Sequence, residues 1–278
     1  MRRLALASPR LRRILIAYTL NRLGSWFGLI ALMIAVYDHT HSATAVAGLM
    51  VCWQALPAFV VPAVVARVEL SKRRRELSAL YIFEAIVTGL IIVFLHDFAL
   101  APILVLAAID GTAALAASSL LRAEVARVAR EDSEGTSELP EVAEREANAA
   151  LNVAFSLTFV TGPAIAGLIV ATSGASTALW ADVGSFLLCA LLLVDLHPSV
   201  EEAAGESVRE RLSTAWRHIG EVPSFRALLL TEMVALVFFE SAAPIELTYA
   251  KTSLNAGDKG FGLLVTCWGA GEIGRAHV

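Results

Sequence analysis

The chain is short of charge. Asp, Glu, Lys and Arg make up 17% of its 278 residues, whereas 57% are hydrophobic, and the mean hydropathy is +0.67. A soluble globular domain carries about 25% charged residues, so an ordinary water-solvated fold is excluded. Cysteine is scarce too: Cys52, Cys189 and Cys267 fall inside apolar runs at no metal-ligand or redox spacing, which excludes a disulfide framework or a zinc site. The six histidines are scattered, and no glycine-rich stretch precedes Lys-Ser or Lys-Thr. Neither a metal nor a nucleotide cofactor is expected, and no nucleophile constellation points to an enzyme. The formal charge of −4, mixed in sign, offers nothing to nucleic acid.

What the chain has instead is long apolar runs. Backbone polar groups cannot be left open in hydrocarbon, so only helices or closed barrels span a bilayer, and runs without period-2 alternation choose helices. The expected fold class is all-α, a polytopic membrane helix bundle solvated by lipid. A spanning helix needs about 20 mostly apolar residues. Seven such segments are expected at 14–36, 43–66, 77–95, 99–121, 149–171, 176–196 and 226–249, with an eighth beginning near 260 and ending before it can cross. The basic start, MRRLALASPRLRR, resembles the charged region of a signal peptide, but the apolar run after it is too long and lacks an obvious cleavage site. It reads as a retained first helix.

Lys and Arg stay on the cytoplasmic side during insertion. Arg2, Arg3, Arg10, Arg12 and Arg13 precede segment 1; Arg67, Lys72, Arg73, Arg74 and Arg75 follow segment 2. Arg122, Arg127, Arg130 and Arg145 follow segment 4, and Arg209, Arg211, Arg217 and Arg226 follow segment 6. The alternate loops hold only Lys251 and Lys259. The expected topology is multi-pass with a cytoplasmic N-terminus, in a bacterial inner (cytoplasmic) membrane. Residues 122–148 read as a helical extension, an acidic break around SEGTSELP, and a re-entry into segment 5. After segment 6, Val208, Leu212, Ala215 and Ile219 recur near a helical period, which predicts an amphipathic surface helix with Trp216 at headgroup level.

Gly162, Pro163 and Gly167 lie in the stretch EREANAALNVAFSLTFVTGPAIAG, residues 144–167. Small residues let helix backbones approach in a bilayer, and a helix proline frees a carbonyl and permits a kink. That stretch resembles the fifth helix of major facilitator superfamily exporters, and Gly162, Pro163 and Gly167 match their antiporter motif. Asn148 and Asn152, ADVGSF at 181–186, RALLL at 226–230 and GFGLLVTCWGAG at 260–271 are similar to the macrolide-efflux and enterobactin-exporter branch. The resemblance covers the chain up to Gly271. It implies the first six-helix half of that fold plus helix 7 and part of helix 8, with boundaries at 1–196 for the first bundle, 197–225 for a cytoplasmic linker and 226–271 for the start of the second half.

The chain also departs from the family. The gate loop after segment 2 reads PAVVARVELSKRRRE, with Ala63 and Arg67 where the family has Gly and Asp. Arg67, Glu69, Arg73 and Arg74 are the gate candidates. Segment 4 lacks the arginine of many drug–proton antiporters and presents Ala107 and Asp110 before Gly111. The tail EIGRAHV, residues 272–278, is also what a common sequencing adapter encodes in frame, so a non-native tail and a native gene running further are expected; the other reading is a genuine short protein with a polar end.

An ionisable group at the centre of a membrane helix costs roughly 2.5–3.5 kcal/mol, so each one is a candidate functional group. At 1.5 Å per residue, Arg22 lies roughly 12 Å from the cytoplasmic end of segment 1 and Asp110 roughly 16 Å from the outer end of segment 4. The family fold places these helices side by side, so an Arg22–Asp110 pair is expected, with a fixed structural ion pair or hydration as the alternatives. Glu84 competes for Arg22 but sits on a helix that is peripheral in the family. In segment 7, Glu240 lies roughly 21 Å deep behind Phe238 and Phe239, as suits a proton carrier or a binder of cationic substrate. Glu232 is nearer the cytoplasm. Asp182 and Glu246 are read as close to the outer surface.

The expected function is secondary active transport: proton-coupled efflux of a small amphipathic molecule, whether drug, siderophore or metabolite. The alternative is a non-transporting membrane module of the same fold that binds a ligand or partner. The expected partners are lipid, the small-molecule substrate, protons and a missing C-terminal half. A central cavity lacking that half does not close, so vesicles holding only residues 1–278 should show no efflux of drug or siderophore, and measurable efflux would refute the expectation.

Overall fold

The computed structural model describes residues 8–70, 76–133, 139–194 and 208–275, except for the side chains of 66–70, 208, 209, 211, 212, 215, 239 and 272–275. Among the described residues every regular element is a helix. In chain order these are α1 (Pro9–Thr40); α2, a continuous rod of Ala43–Met50, a π-helical turn Val51–Ala55 and Leu56–Leu70; α3 (Glu76–His96); α4 (Leu100–Ser133); α5 (Pro140–Ser173); α6 (Ala175–Leu193); α7 (Val208–Glu221); α8 (Pro223–Thr252); and α9 (Gly257–Arg275). Among the described residues, α1 to α6 and α8 are long and apolar enough to cross a membrane.

Local chemistry sets the helix ends. Pro9 opens α1 behind Ser8, whose hydroxyl accepts from the Leu11 amide at 3.2 Å. Gly174 separates α5 from α6 at φ +85°, a backbone state that L side chains rarely adopt. The acidic connection has the expected helical extension and re-entry: α4 runs on to Ser133, and α5 begins at Pro140. Arg127 donates from Nε to Glu124 at 2.9 Å and also pairs with Glu131, while Arg130 reaches across to Glu144 at 2.8 Å. The first two pairs lie within α4, and the Arg130–Glu144 pair joins the two extensions beyond the apolar stretch. The break itself, 134–138, lies outside the described residues.

The amphipathic segment forms α7, with Trp216 exposed. Of the gate candidates, Arg67 and Glu69 fall in the last turns of α2, where side chains are outside the description, and Arg73 and Arg74 lie outside the described residues.

Packing follows small residues rather than large ones. Helix α1 runs through the middle, against α5 on one side and α6 on the other; α3 packs on α4 and α6, α2 on α4, and α9 along α5. Outward-facing side chains such as Phe59, Val93, Val105, Val153 and Leu191 stay exposed, forming the apolar surface that lipid solvates. Inside, glycines admit a neighbour. A Cβ at Gly162 would lie 2.5 Å from the Trp26 ring, and one at Gly262 would lie 2.5 Å from the Pro163 carbonyl oxygen. Gly162, Pro163 and Gly167 thus form the seam on which α5 receives α1 and α9.

The π turn in α2 was not foreseen. It brings the Trp53 carbonyl against Gly111 of α4, where no Cβ fits, so the α2–α4 approach rests on that glycine. Gly111→Ala should cost about 1–3 kcal/mol by overpacking. The control Gly89→Ala, with nothing within 4 Å, should not destabilise. Thermal midpoints in detergent check both.

Candidate functional site

The bundle encloses a cavity of about 510 Å³, walled by α1, α2, α4, α5, α6, α8 and α9. A second hollow of about 590 Å³, between α2, α3 and α4, is lined almost wholly by apolar side chains such as Val60, Phe83 and Val105. Only the first gathers charged groups: Arg22, Asp110, Asp182, Glu240 and Glu246 all line it.

Asp110 sits on α4 just before Gly111 and is 3% exposed. Its Oδ2 accepts from the Trp53 indole Nε1 at 3.1 Å and its Oδ1 from the Thr88 hydroxyl at 3.2 Å. The α2 π turn and the close contact at Gly111 aim the indole there; π turns recur at functional sites for this kind of reason. The expected Arg22–Asp110 pair is not formed. Asp110 takes its donors from α2 and α3, while the Arg22 guanidinium lies over the Phe155 ring of α5, 5.1 Å from its centroid. The two helices touch, but α1 leans mainly on α5 and α6, and this turns Arg22 toward the α5 side.

Two carboxyl groups matter more than the sequence suggested. Asp182, expected near the outer surface, is 2% exposed in the interior of the bundle. It accepts from the Ser185 hydroxyl at 3.3 Å, and a Cβ at Gly28 of α1 would fall 2.5 Å from its Oδ2. Counting residues from the outer end of α6 missed that two glycines of α1, Gly24 and Gly28, open a recess for it. Glu84, expected to be peripheral, is fully buried with no hydrogen-bond partner on either oxygen. It is within electrostatic range of Asp110 and Asp182, not on Arg22. A signal was available: Glu84 and Thr88 stand four residues apart and so share one helix face.

Glu240 lies across the cavity on α8, where its Oε2 accepts from the Gln54 amide of α2 at 2.9 Å. Glu232 does not join it; that side chain is exposed. Among the described residues no group of three His, Cys, Asp or Glu side chains is arranged to hold a metal ion.

The cleft between the α1–α6 bundle and α8 closes at one end. Toward the C-terminus of α8, Leu247 and Ala250 are fully buried, whereas most residues from 223 to 238 are exposed. At the closed end Lys251 pairs with Asp38 of α1 and, at 2.8 Å, with Asp258 of α9, and its ammonium lies 5.8 Å from the Tyr37 ring. One of the two lysines that stood out from the basic-loop pattern is thus a tie between three helices.

A polytopic helix bundle around a charged, membrane-depth cavity that is closed at one end is the architecture of a membrane transporter. The chain matches the Major Facilitator Superfamily over residues 14–275 and belongs to it. Members of that family are transporters rather than enzymes. No curated protein and no solved structure matches the chain.

Lys251→Met removes both ion pairs and should cost about 1–2 kcal/mol, between the exposed and buried limits for such pairs. It should also raise, severalfold, the reaction of a cysteine at cavity position Met33 with a membrane-impermeant maleimide added from the Lys251 side. Unchanged labelling would show that Lys251 does not seal that end.

Proposed function

We propose that this protein is a proton-coupled exporter of a small amphipathic molecule, such as a drug, siderophore or metabolite, in the cytoplasmic membrane of a bacterium, with its N-terminus in the cytoplasm. The observation that carries the reading is the pair of carboxyl groups on facing elements, Asp110 of α4 and Glu240 of α8, each held by a donor from α2. In this fold the substrate sits near mid-membrane and the surrounding elements rock to expose it to one side and then the other. A carboxylate that takes up a proton loses its charge and accepts hydrogen bonds less strongly. Protonation of Glu240 loosens its link to Gln54 and frees α8 from α2; protonation of Asp110 loosens its links to Trp53 and Thr88. Each proton thereby shifts the balance between the two access states.

Direction is supported by the closed end. Lys251 ties α1, α8 and α9 at the end opposite the N-terminus. With the basic loops in the cytoplasm, the cleft opens inward, the state in which an exporter loads. The aromatic wall formed by Trp26, Phe155, Phe159 and Trp268 supplies contact for an amphipathic body.

In proteoliposomes of the complete protein under an imposed pH gradient, Asp110→Asn and Glu240→Gln should each abolish proton-driven efflux of an amphipathic dye while leaving the fold intact. Normal pH-dependent efflux in both variants would remove these groups from the coupling scheme.

A further inference from the structure

Two donors in the cavity have no acceptor. Arg22 and Trp26 are four residues apart, on one face of α1, and both line the cavity. The Arg22 Nε and the Trp26 indole Nε1 are both buried, and neither has a hydrogen-bond partner. Buried polar atoms are nearly always paired, and these two, on half-buried side chains, are exceptions. Each such exception calls for a partner.

No nearby carboxylate fills that need. The ionisable groups acting on the Arg22 guanidinium are Tyr18, Tyr81 and Arg122. Arg122 adds a second positive charge and is itself engaged with the Tyr18 hydroxyl, to which it donates at 3.0 Å. Of the four carboxyl groups that line the cavity, three accept from another side chain, Asp110 from Thr88 and Trp53, Asp182 from Ser185 and Glu240 from Gln54, and the fourth, Glu246, is exposed on α8. None of these carboxylates pairs with either unmet donor.

We propose that Arg22 and Trp26 form an oxyanion subsite, and that the molecule bound in this cavity is an organic anion, a carboxylate-class head on an aromatic body. The guanidinium offers the planar fork that suits a carboxylate, and the indole N–H adds a further donor one turn along. The aromatic body follows from the surroundings. Arg22 lies over Phe155, Trp26 meets Phe159 edge-on at 5.4 Å, and Phe159 stacks on Phe155 at 5.6 Å and leans on Trp268 of α9 at 5.5 Å. This run of rings begins at the donors and crosses from α5 to α9, so a flat apolar group attached to the anionic head meets ring faces and edges along its length. The inference rests on the reading of this cavity as the substrate site, and it narrows the amphipathic molecule to an anionic one.

The test uses three probes of one shape: 2-naphthoate, its neutral amide 2-naphthamide, and the cationic 2-naphthylmethylamine. Binding to the purified chain is followed by quenching of the tryptophan fluorescence, since Trp26, Trp53 and Trp268 line the cavity. Naphthoate should bind at least about tenfold more tightly than naphthamide, the size expected for charge-assisted hydrogen bonds. Arg22→Gln should abolish that preference, weakening naphthoate binding far more than naphthamide binding, Arg22→Lys should keep part of it, and Trp26→Phe should reduce it less than Arg22→Gln. Equal binding of naphthoate and naphthamide, a preference for the amine, or naphthoate binding indifferent to Arg22→Gln would overturn the oxyanion subsite while leaving the cavity a binding site. Quenching by none of the three probes would overturn both the subsite and the cavity reading. The probe series on the unaltered protein decides the matter even if a variant fails to fold.

Discussion

A charged side chain inside a membrane bundle has no water to fall back on, so its placement depends on what donors and acceptors the packed helices bring to it. Asp110 shows what this demands. Its carboxylate is held by Thr88 from α3 and by Trp53 from α2, and the indole arrives only because a π turn swings Trp53 toward α4 and Gly111 leaves room for its carbonyl. Removing that space would disturb the α2–α4 contact and the polar cluster together. Asp182 and Glu84 are met differently: Asp182 accepts from Ser185 of its own helix inside the recess that Gly24 and Gly28 of α1 leave for it, and Glu84 is buried with no hydrogen-bond partner.

The same constraint divides the cavity's polar groups into two sets. Carboxylates that find donors line up on α4, α6 and α8, while the unpartnered Arg22 and Trp26 face the rings of α5 and α9. Closure is handled elsewhere, at the far end of α8, where Lys251 bridges Asp38 and Asp258. The cavity wall and the end closure therefore use different residues of the same helices.

Much of the fold was legible because lipid imposes a simple rule on sequence: a spanning helix must be apolar over its length, and each of the seven predicted segments lies on a membrane-length helix. The small residues Gly162, Pro163 and Gly167 were legible as a contact surface for a similar reason, since only small side chains let backbones approach. The site was far less legible. Depth along a helix identified Arg22, Asp110 and Glu240 as cavity residues, but depth does not say which way a side chain turns. It wrongly paired Arg22 with Asp110, placed Asp182 near the surface and ranked Glu84 as peripheral.

By itself the sequence determined the class of the protein and its helices, because hydropathy acts locally, residue by residue, against the bilayer. Only the tertiary structure decided who partners whom. The Gln54–Glu240 link, the Trp53–Asp110 bond, the recess that Gly24 and Gly28 make for Asp182, and the Lys251 tie all join residues far apart in the chain. Such contacts depend on the rotation and crossing of packed helices, and those are set by the summed fit of many small side chains, which no single segment encodes.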